Sequence, residues 1–530
     1  MAGFCELGGP QRVRQTSLRW ALATASGCLW FLACPPFDAS WLAWVAAVPA
    51  LLAIERAPST RGALLLGFWA GAVESAGGFY WLIETLRRFA DFPWVAGALV
   101  LLLFAAARGL IFLLAAWLLL RLRRGRRVPM TLAAPLTLVV GEWLVPQLFP
   151  SGQFISQAWH PILIQIAELT GPSGVTALLM MVNGALYDLA TRPRAARIPV
   201  AVAAALVMAD LGYGAVRMRE VDAEAARAPT LRIGLVQPNF AYGNDGQLAR
   251  EEALRQLAAL QSETRRLEQA GAALAVWSEG SYPATLPRDL ERDFPPESPA
   301  MIRRDIGVPV IIGADTYDPR HDQAFNSALL LDSSGRLTGR YDKSRLLAFG
   351  EYIPGLDWLP FLRRIIPAGL GRFQAGDGPG VFAFDAPDGR PWRLAPVICY
   401  EDIITDYLRE VGRRHPNLLV NLTVDSWYGA RAEPWQHLAL ATFASVELRV
   451  AMVRAVNSGV SALIDPAGRV RVHTYADDPY LNPRPADGVV VNAAWMPGGR
   501  TPFVAFGNWF AYACAAAAAF IAWRVRRQPN

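Results

Sequence analysis

Two textures divide the chain. Up to about residue 216 it is a succession of apolar runs, near 19–34, 40–55, 62–84, 94–120, 129–148, 172–190 and 198–216, separated by short polar breaks. Crossing a bilayer as a helix takes about 20 residues, a length most of these runs approach and the first two fall short of. Residues 217–502 show short β-branched runs between amphipathic polar segments, the pattern of an α/β domain. An eighth apolar run, Phe503 to about Trp523, closes the chain. The expected organisation is a polytopic α-helical membrane domain of seven transmembrane helices (1–216), an α/β domain (217–502), and an eighth helix with a short tail (503–530). Within the α/β part, strands are predicted at Leu231–Gln237, Ala273–Trp277, Val308–Gly313, Asn326–Leu331, Leu394–Ile398, Leu418–Leu422 and Val460–Ile464. Helices are predicted at Gln247–Gln269, Asp402–Arg414 and Pro434–Glu447.

Composition agrees with that division. Hydrophobic residues make up 53% and charged residues 18%, which excludes a disordered or fibrous chain. A mean hydropathy of +0.23 fits apolar surface facing lipid. The net charge of +6 is compatible with nucleic acid or with membrane ends, and arginine placement decides. Arg12, Arg14 and Arg19 precede the first run and Arg56 and Arg61 follow the second. Arg121, Arg123, Arg124, Arg126 and Arg127 follow the fourth, Arg192, Arg194 and Arg197 the sixth, and Arg524, Arg526 and Arg527 the eighth. All fall on one side. The Pro35-Pro36-Phe37-Asp38 loop and residues 149–171 on the other side carry no Lys or Arg, and only Arg87 and Arg88 break the pattern. The reading is a membrane-embedded protein with no nucleic-acid partner, its 217–502 domain outside the cytoplasm. Phe31-Leu32-Ala33-Cys34 is similar to a lipoprotein processing site, but seven further apolar runs make the first an uncleaved anchor.

Five cysteines, at 5, 28, 34, 399 and 514, form no disulfide framework, and only Cys399 lies far from the apolar runs. It follows the strand Leu394–Ile398 and precedes Tyr400-Glu401-Asp402 and a helix, a turn whose N–H groups favour a thiolate. A packed structural thiol is the competing reading. Lys343, in Tyr341-Asp342-Lys343-Ser344-Arg345, is the chain's one lysine. Lysine is ordinarily a solvated surface charge, yet where every other such cation is arginine it marks a place for a compact ammonium, able to stabilise an oxyanion. Glu279 ends the strand in Ala275-Val276-Trp277-Ser278-Glu279. Partial desolvation there raises a carboxyl toward general-base range, and a solvated strand-end acid is the alternative.

In order, Trp277-Ser278-Glu279, Tyr341-Asp342-Lys343 with Phe349-Gly350-Glu351-Tyr352, and Val397-Ile398-Cys399-Tyr400-Glu401 resemble the Glu, Lys and Cys motifs of the nitrilase superfamily. With eight spans around such a domain, the chain resembles the apolipoprotein N-acyltransferases. The likeness extends through Glu142-Trp143-Leu144, Ile166-Ala167-Glu168-Leu169-Thr170-Gly171, Val236-Gln237-Pro238-Asn239, Asn421–Gly429 and Arg454-Ala455-Val456-Asn457-Ser458-Gly459. It departs from the family at Val145-Pro146, at Val450-Ala451 and around Asn244-Asp245, where lipid or acceptor contacts are in question.

The resemblance implies an α-β-β-α sandwich, no cofactor or metal, and a bacterial inner (cytoplasmic) membrane location with the catalytic domain periplasmic. It implies a ping-pong acyl transfer. Glu279 takes the thiol proton, Cys399 attacks a phospholipid acyl ester, and Lys343 stabilises the oxyanion; a diacylated lipoprotein then accepts the acyl group on its N-terminal amine. Glu351 and Glu401 are read either as aids to Lys343 and Cys399 or as structural hydrogen-bonding groups; Tyr400, Trp427 and Asn457 complete the supporting candidates.

Several features have more than one reading. Apolar stretches at Leu346–Phe349, Tyr352–Pro354 and Trp358–Leu362 fit lipid-facing lids or ordinary packing. Glu74 and Arg108, mid-run in neighbouring spans, fit a buried ion pair or a headgroup contact. The five histidines show no zinc-binding spacing, and Gly376-Asp377-Gly378-Pro379-Gly380 lacks the strand-then-helix context of a phosphate loop. Two other functions compete with acyl transfer: a membrane-tethered nitrilase-like amidohydrolase, and a transporter with an inactive nitrilase fold.

Overall fold

The structure, a computed structural model, describes residues 10–90, 92–123, 128–241, 249–355, 371–429, 431–480 and 488–527. The expected Trp358–Leu362 stretch, Asn244-Asp245 and the start of the Gln247–Gln269 helix lie outside them.

In the N-terminal part, α1 (Pro10–Ala33), α2 (Val48–Glu55), α3 (Thr60–Gly78), α4 (Leu82–Ala90), α5 (Trp94–Leu122) and α6 (Met130–Leu144) are followed by the short α7 (Pro161–Ile164) and α8 (Ala167–Thr170), then α9 (Ser173–Thr191) and α10 (Arg197–Ala225). Among the described residues α5, α9 and α10 are long and apolar enough to cross a membrane. The 40–55 run is a 3-10 turn over Ser40–Trp44 followed by the short α2, and the 129–148 run yields only the 15-residue α6. Exposed Leu99, Leu102 and Leu103 on α5, and Ile198 and Met208 on α10, form apolar outer faces suited to lipid. Glycines let the helices close up: a Cβ on Gly67 would sit 2.9 Å from the Phe112 carbonyl oxygen of α5.

The 62–84 run does not continue as one helix. It ends at Gly78, turns through Phe79-Tyr80-Trp81, and restarts as α4, whose Glu84, Arg87 and Arg88 make it amphipathic. That segment lies against the α/β domain. Arg88 pairs with Asp478 and donates to the Ser426 carbonyl oxygen at 3.1 Å, so at least this off-pattern arginine answers a partner rather than the membrane field. Glu74 and Arg108 do not meet face to face. Ser75 joins them, its Oγ donating to Glu74 at 2.8 Å and accepting from Arg108 at 3.3 Å, while Arg108 also donates to Gln147 and to the carbonyls of Phe149 and Ser151.

The α/β part holds β1 (Thr230–Leu235), α11 (Arg250–Gln269), β2 (Leu274–Val276), β3 (Leu286–Pro287), β4 (Val310–Asp318), β5 (Gln323–Leu331), β6 (Leu337–Asp342), β7 (Phe382–Asp385), β8 (Pro391–Ile398), α12 (Thr405–Gly412), β9 (Leu418–Thr423), α13 (Glu433–Leu448), β10 (Ala451–Val456), β11 (Gly459–Ile464), β12 (Val470–Ala476) and β13 (Val489–Ala494). One sheet runs β13-β1-β2-β4-β5-β6 with β3 beside β4; the other runs β12-β11-β10-β9-β8-β7. Strand alternation assigns the faces. Leu231, Ile233 and Leu235 of one sheet meet Leu418, Val420 and Leu422 of the other in the inner core. On the outer faces α11 covers the first sheet through Leu257, Leu260 and Leu267, while α12 and α13 cover the second through Leu408, Val411, Leu438 and Leu448. The result is an α-β-β-α sandwich. Burial on both faces explains why its strands read as continuous apolar runs.

After β13, α14 (Pro502–Phe506) leads into α15 (Trp509–Arg527), which packs on α6. The expected 402–414 helix begins later, because Cys399–Ile403 forms a 3-10 turn before α12. The strands β3, β6, β7, β10, β12 and β13 are additions to the sequence reading; short or half-polar strands such as β12, with alternate residues exposed, carry little apolar signal.

Candidate active site

Side chains with chemistry gather beyond the carboxyl ends of the parallel-paired strands, where α/β sheets bind ligands: Glu279 follows β2, Cys399 follows β8, Trp427 follows β9 and Asn457 follows β10, while Lys343 follows the antiparallel edge strand β6. Cys399 has φ +50°, the left-handed region that a residue with a Cβ seldom adopts. The sharp turn lifts the thiol off the strand axis before the 3-10 turn.

Lys343 is 1% exposed. Its Nζ donates to Glu351 Oε1 at 2.9 Å and to Glu279 Oε1 at 3.3 Å. Asn326 Nδ2 donates to the same two oxygens, at 2.7 Å to Glu279 and 3.0 Å to Glu351. The second Glu351 oxygen accepts the Leu347 N–H at 2.8 Å, which fixes the loop after the lysine. Sequence reasoning missed Asn326; the signal was a polar residue opening an otherwise apolar strand.

Burial and coupling set the protonation states. Burial pushes the Cys399 thiol well up; the Glu279 carboxylate pushes it further, while Lys343 and a hydrogen bond with Thr423 pull it down. The resting sulfur keeps its proton and requires a base. Burial raises Glu279, Lys343 lowers it and Glu351 raises it, for a net rise that suits proton acceptance. Burial works against the Lys343 charge, but Glu279, Glu351 and Cys399 outweigh it and hold the ammonium firmly. The set combines a protonated thiol, a carboxylate raised toward neutrality and a fixed cation.

The supporting candidates separate by role. Glu401 is fully buried and its two oxygens are occupied. They accept the N–H groups of Ser344 at 2.8 Å, Arg345 at 3.0 Å and Ile398 at 2.8 Å, and the Tyr341 hydroxyl at 2.7 Å. This carboxylate therefore ties the lysine loop to the cysteine turn. Tyr400 donates its hydroxyl to the Leu148 carbonyl oxygen at 2.8 Å, fastening the same turn to the N-terminal part. Asn457 is a structural clasp: it accepts the Phe240 N–H at 2.9 Å and donates to the Phe240 carbonyl at 2.7 Å. Trp427 packs in an aromatic cluster with Phe79, Trp81, Phe149 and Tyr428.

Cys399 lines a cavity shared between the two parts of the chain. Phe31, Phe79, Trp81, Phe149 and Ile155 from the N-terminal part face Tyr400, Ile403, Tyr428 and Leu440 from the sandwich. Gln436 locks the halves together, accepting from Trp81 Nε1 and donating to the carbonyls of Pro35 and Gly78, each at 2.9 Å. Behind the cavity His437 donates to Asp402 at 2.7 Å and Asp425 at 3.1 Å, and Arg454 donates to both acids. The ligand atoms of Asp425, Glu433 and His437 lie within 4.8 Å of one another. Both ring nitrogens of His437 are hydrogen-bonded to carboxylates, which leaves no lone pair for a metal ion.

Residues 26–185 match the family model for the apolipoprotein N-acyltransferase N-terminal domain, and residues 232–477 match that for carbon-nitrogen hydrolase. An apolipoprotein N-acyltransferase from Geobacter metallireducens is 30% identical over 521 residues, covering 95% of this chain and 94% of that protein. The chain belongs to the apolipoprotein N-acyltransferase family. A second member, from Allorhizobium ampelinum, is 31% identical and spans 85% of this chain and 87% of its own. Among solved structures, an amidase of the nitrilase superfamily from Nesterenkonia AN1 aligns with 54% of this chain and 97% of its own at 18% identity, with a TM-score of 0.36. In this apolipoprotein N-acyltransferase family member, the sandwich is the part that matches the carbon-nitrogen hydrolase model, and it is joined to apolar helices.

Proposed function

We propose that this chain transfers a fatty acyl group from a membrane phospholipid to the N-terminal α-amino group of diacylglyceryl-cysteine in lipoproteins, through a thioester on Cys399. In the first half-reaction Glu279 accepts the thiol proton, the sulfur attacks the ester carbon and Lys343 stabilises the oxyanion; as the ester C–O bond breaks, Glu279 returns the proton to the glycerol oxygen and a lysophospholipid leaves. In the second, the lipoprotein amine attacks the thioester carbon and its proton passes to Glu279; the C–S bond breaks, the amide forms, and Glu279 passes that proton to the sulfur to restore the thiol.

One observation carries this reading: Cys399 faces an apolar cavity walled jointly by the sandwich and the N-terminal helices. A hydrolase acting on small amides has no use for a wall of that kind. A lipid enzyme does, because moving acyl chains into water costs about 0.8 kcal/mol per CH₂. The apolar helices α5, α9 and α10 and the arginine-rich breaks support a multi-pass chain in the inner membrane, with those breaks cytoplasmic and the sandwich on the periplasmic face.

The test is incubation of the purified protein with labelled phospholipid, followed by a diacylated lipopeptide. A long-chain thioester on Cys399 that disappears when the lipopeptide is N-acylated is expected. A small acyl adduct, or acylation that persists in Cys399→Ala, overturns the reading.

A further inference from the structure

Glu433 opens α13 and lines the cavity that Cys399 faces. It is 8% exposed, and its Oε2 is the one buried side-chain atom of the described cavity lining left without a hydrogen bond. The neighbouring Gln436 and His437 side chains are committed, to the N-terminal carbonyls and to Asp402 and Asp425 respectively.

Charge around Glu433 is already balanced. Asp402 and Asp425 face the two cations Arg454 and His437, and Glu433 Oε1 stands 3.6 Å from a His437 nitrogen that donates to Asp425. A third carboxylate charge against an aromatic wall has no partner of its own, and desolvation disfavours it. Burial, and then Asp425, raise the Glu433 carboxyl well above its ordinary range. Its Oε2, buried and without a hydrogen-bond partner on a side chain that lines the cavity, is thus the natural place for the proton.

A lipid offers such a donor few acceptors. The phosphate is charged and belongs at the wet mouth of the site. The ester carbonyl lies where acyl chain meets glycerol, the depth that Cys399 must reach to attack. Two glyceryl esters occur in a phospholipid and two in diacylglyceryl-cysteine, so a single donor serves both half-reactions.

We propose that Glu433, as the uncharged acid, donates a hydrogen bond from Oε2 to a non-reacting glyceryl ester carbonyl of the bound lipid. This rests on the acyl-transfer reading above and adds a recognition residue to it. The experiment uses the full-length protein in nanodiscs with the Cys399 thioester preformed, and two acceptor lipopeptides, one diacylglyceryl and one dialkylglyceryl, the latter lacking both carbonyls. The wild type is expected to show a KM about three- to tenfold lower for the ester acceptor, the worth of one neutral hydrogen bond. E433L should raise the ester KM to the ether value, and E433Q, whose amide still donates, should restore the preference. Equal KM values in the wild type, or an ester preference that survives in E433L, overturn the proposal; the wild-type pair decides even if E433L does not fold. Absence of any thioester on wild-type Cys399 sinks the acyl-transfer reading itself.

Discussion

Glu279 and Glu351 share the same two donors: Lys343 Nζ and Asn326 Nδ2 each reach both Oε1 atoms within 3.3 Å. The Glu351 charge beside Glu279 disfavours a second one there and so helps hold the Glu279 pKa up. Glu351→Gln removes that charge and should move the acid limb of thioester formation to lower pH, because Glu279 then stays ionised further into acid. The rate at its optimum should fall about 10- to 100-fold, the worth of one charged hydrogen bond to Lys343. A rate–pH profile from quenched-flow thioester trapping checks both; an acid limb that moves up would refute the coupling.

Lys343→Arg tests the cation. The ammonium is buried in a slot sized by two carboxylates and an amide, and the planar guanidinium needs different geometry. The expected loss is about 10²- to 10³-fold in acyl-enzyme formation, the cost of removing one oxyanion donor. Activity within twofold of wild type would show that any cation suffices.

How far the sequence reached depends on the kind of signal. Strands β2, β9 and β11 were visible because they are buried throughout, and β1 and β8 because their C-terminal halves are, which makes these stretches mostly apolar. Glu279, Lys343 and Cys399 stood out through ordered motifs and one solitary lysine. What they touch was not legible. Asn326 reaches the two glutamates only because β5 and β6 pair antiparallel, with Ser327 opposite Asp342 just before the lysine. Likewise Glu401 reads beside Cys399 as a helper, yet its oxygens face backbone N–H groups 56 and 57 positions away in the chain as well as Ile398. The break at Gly78 was hidden inside an apolar run, since Phe79, Tyr80 and Trp81 continue the hydropathy while Phe79 and Trp81 pack with Tyr428 of the sandwich rather than against lipid.

Glu401→Gln should therefore act on stability as well as rate. An amide places an NH₂ donor against backbone donors that now meet a carboxylate, leaving at least one unsatisfied. The cost is about 1–3 kcal/mol, seen as a lower unfolding midpoint in detergent, together with slower thioester formation as the Lys343 and Cys399 loops come apart. A variant slow in chemistry with unchanged stability would instead assign Glu401 a direct part in proton movement.

The ion cluster behind the cavity makes a pH-dependent contribution whose sign is fixed. Burial and Arg454 push His437 down, but Asp402 and Asp425 more than offset them and raise it to about 10. The folded protein thus binds one more proton than the unfolded chain between the ordinary histidine value of about 6.5 and that raised value. Stability from this group is complete below the lower limit and is lost as pH rises through the upper one, at no more than about 1.4 kcal/mol per pH unit. His437→Gln, which keeps a polar side chain without the titrating charge, should be less stable at pH 7 and should lose less than the wild type between pH 7 and pH 10. Denaturation midpoints across that interval provide the measurement. Parallel wild-type and variant curves would mean that His437 is neutral in the fold and that Arg454 alone balances Asp402 and Asp425.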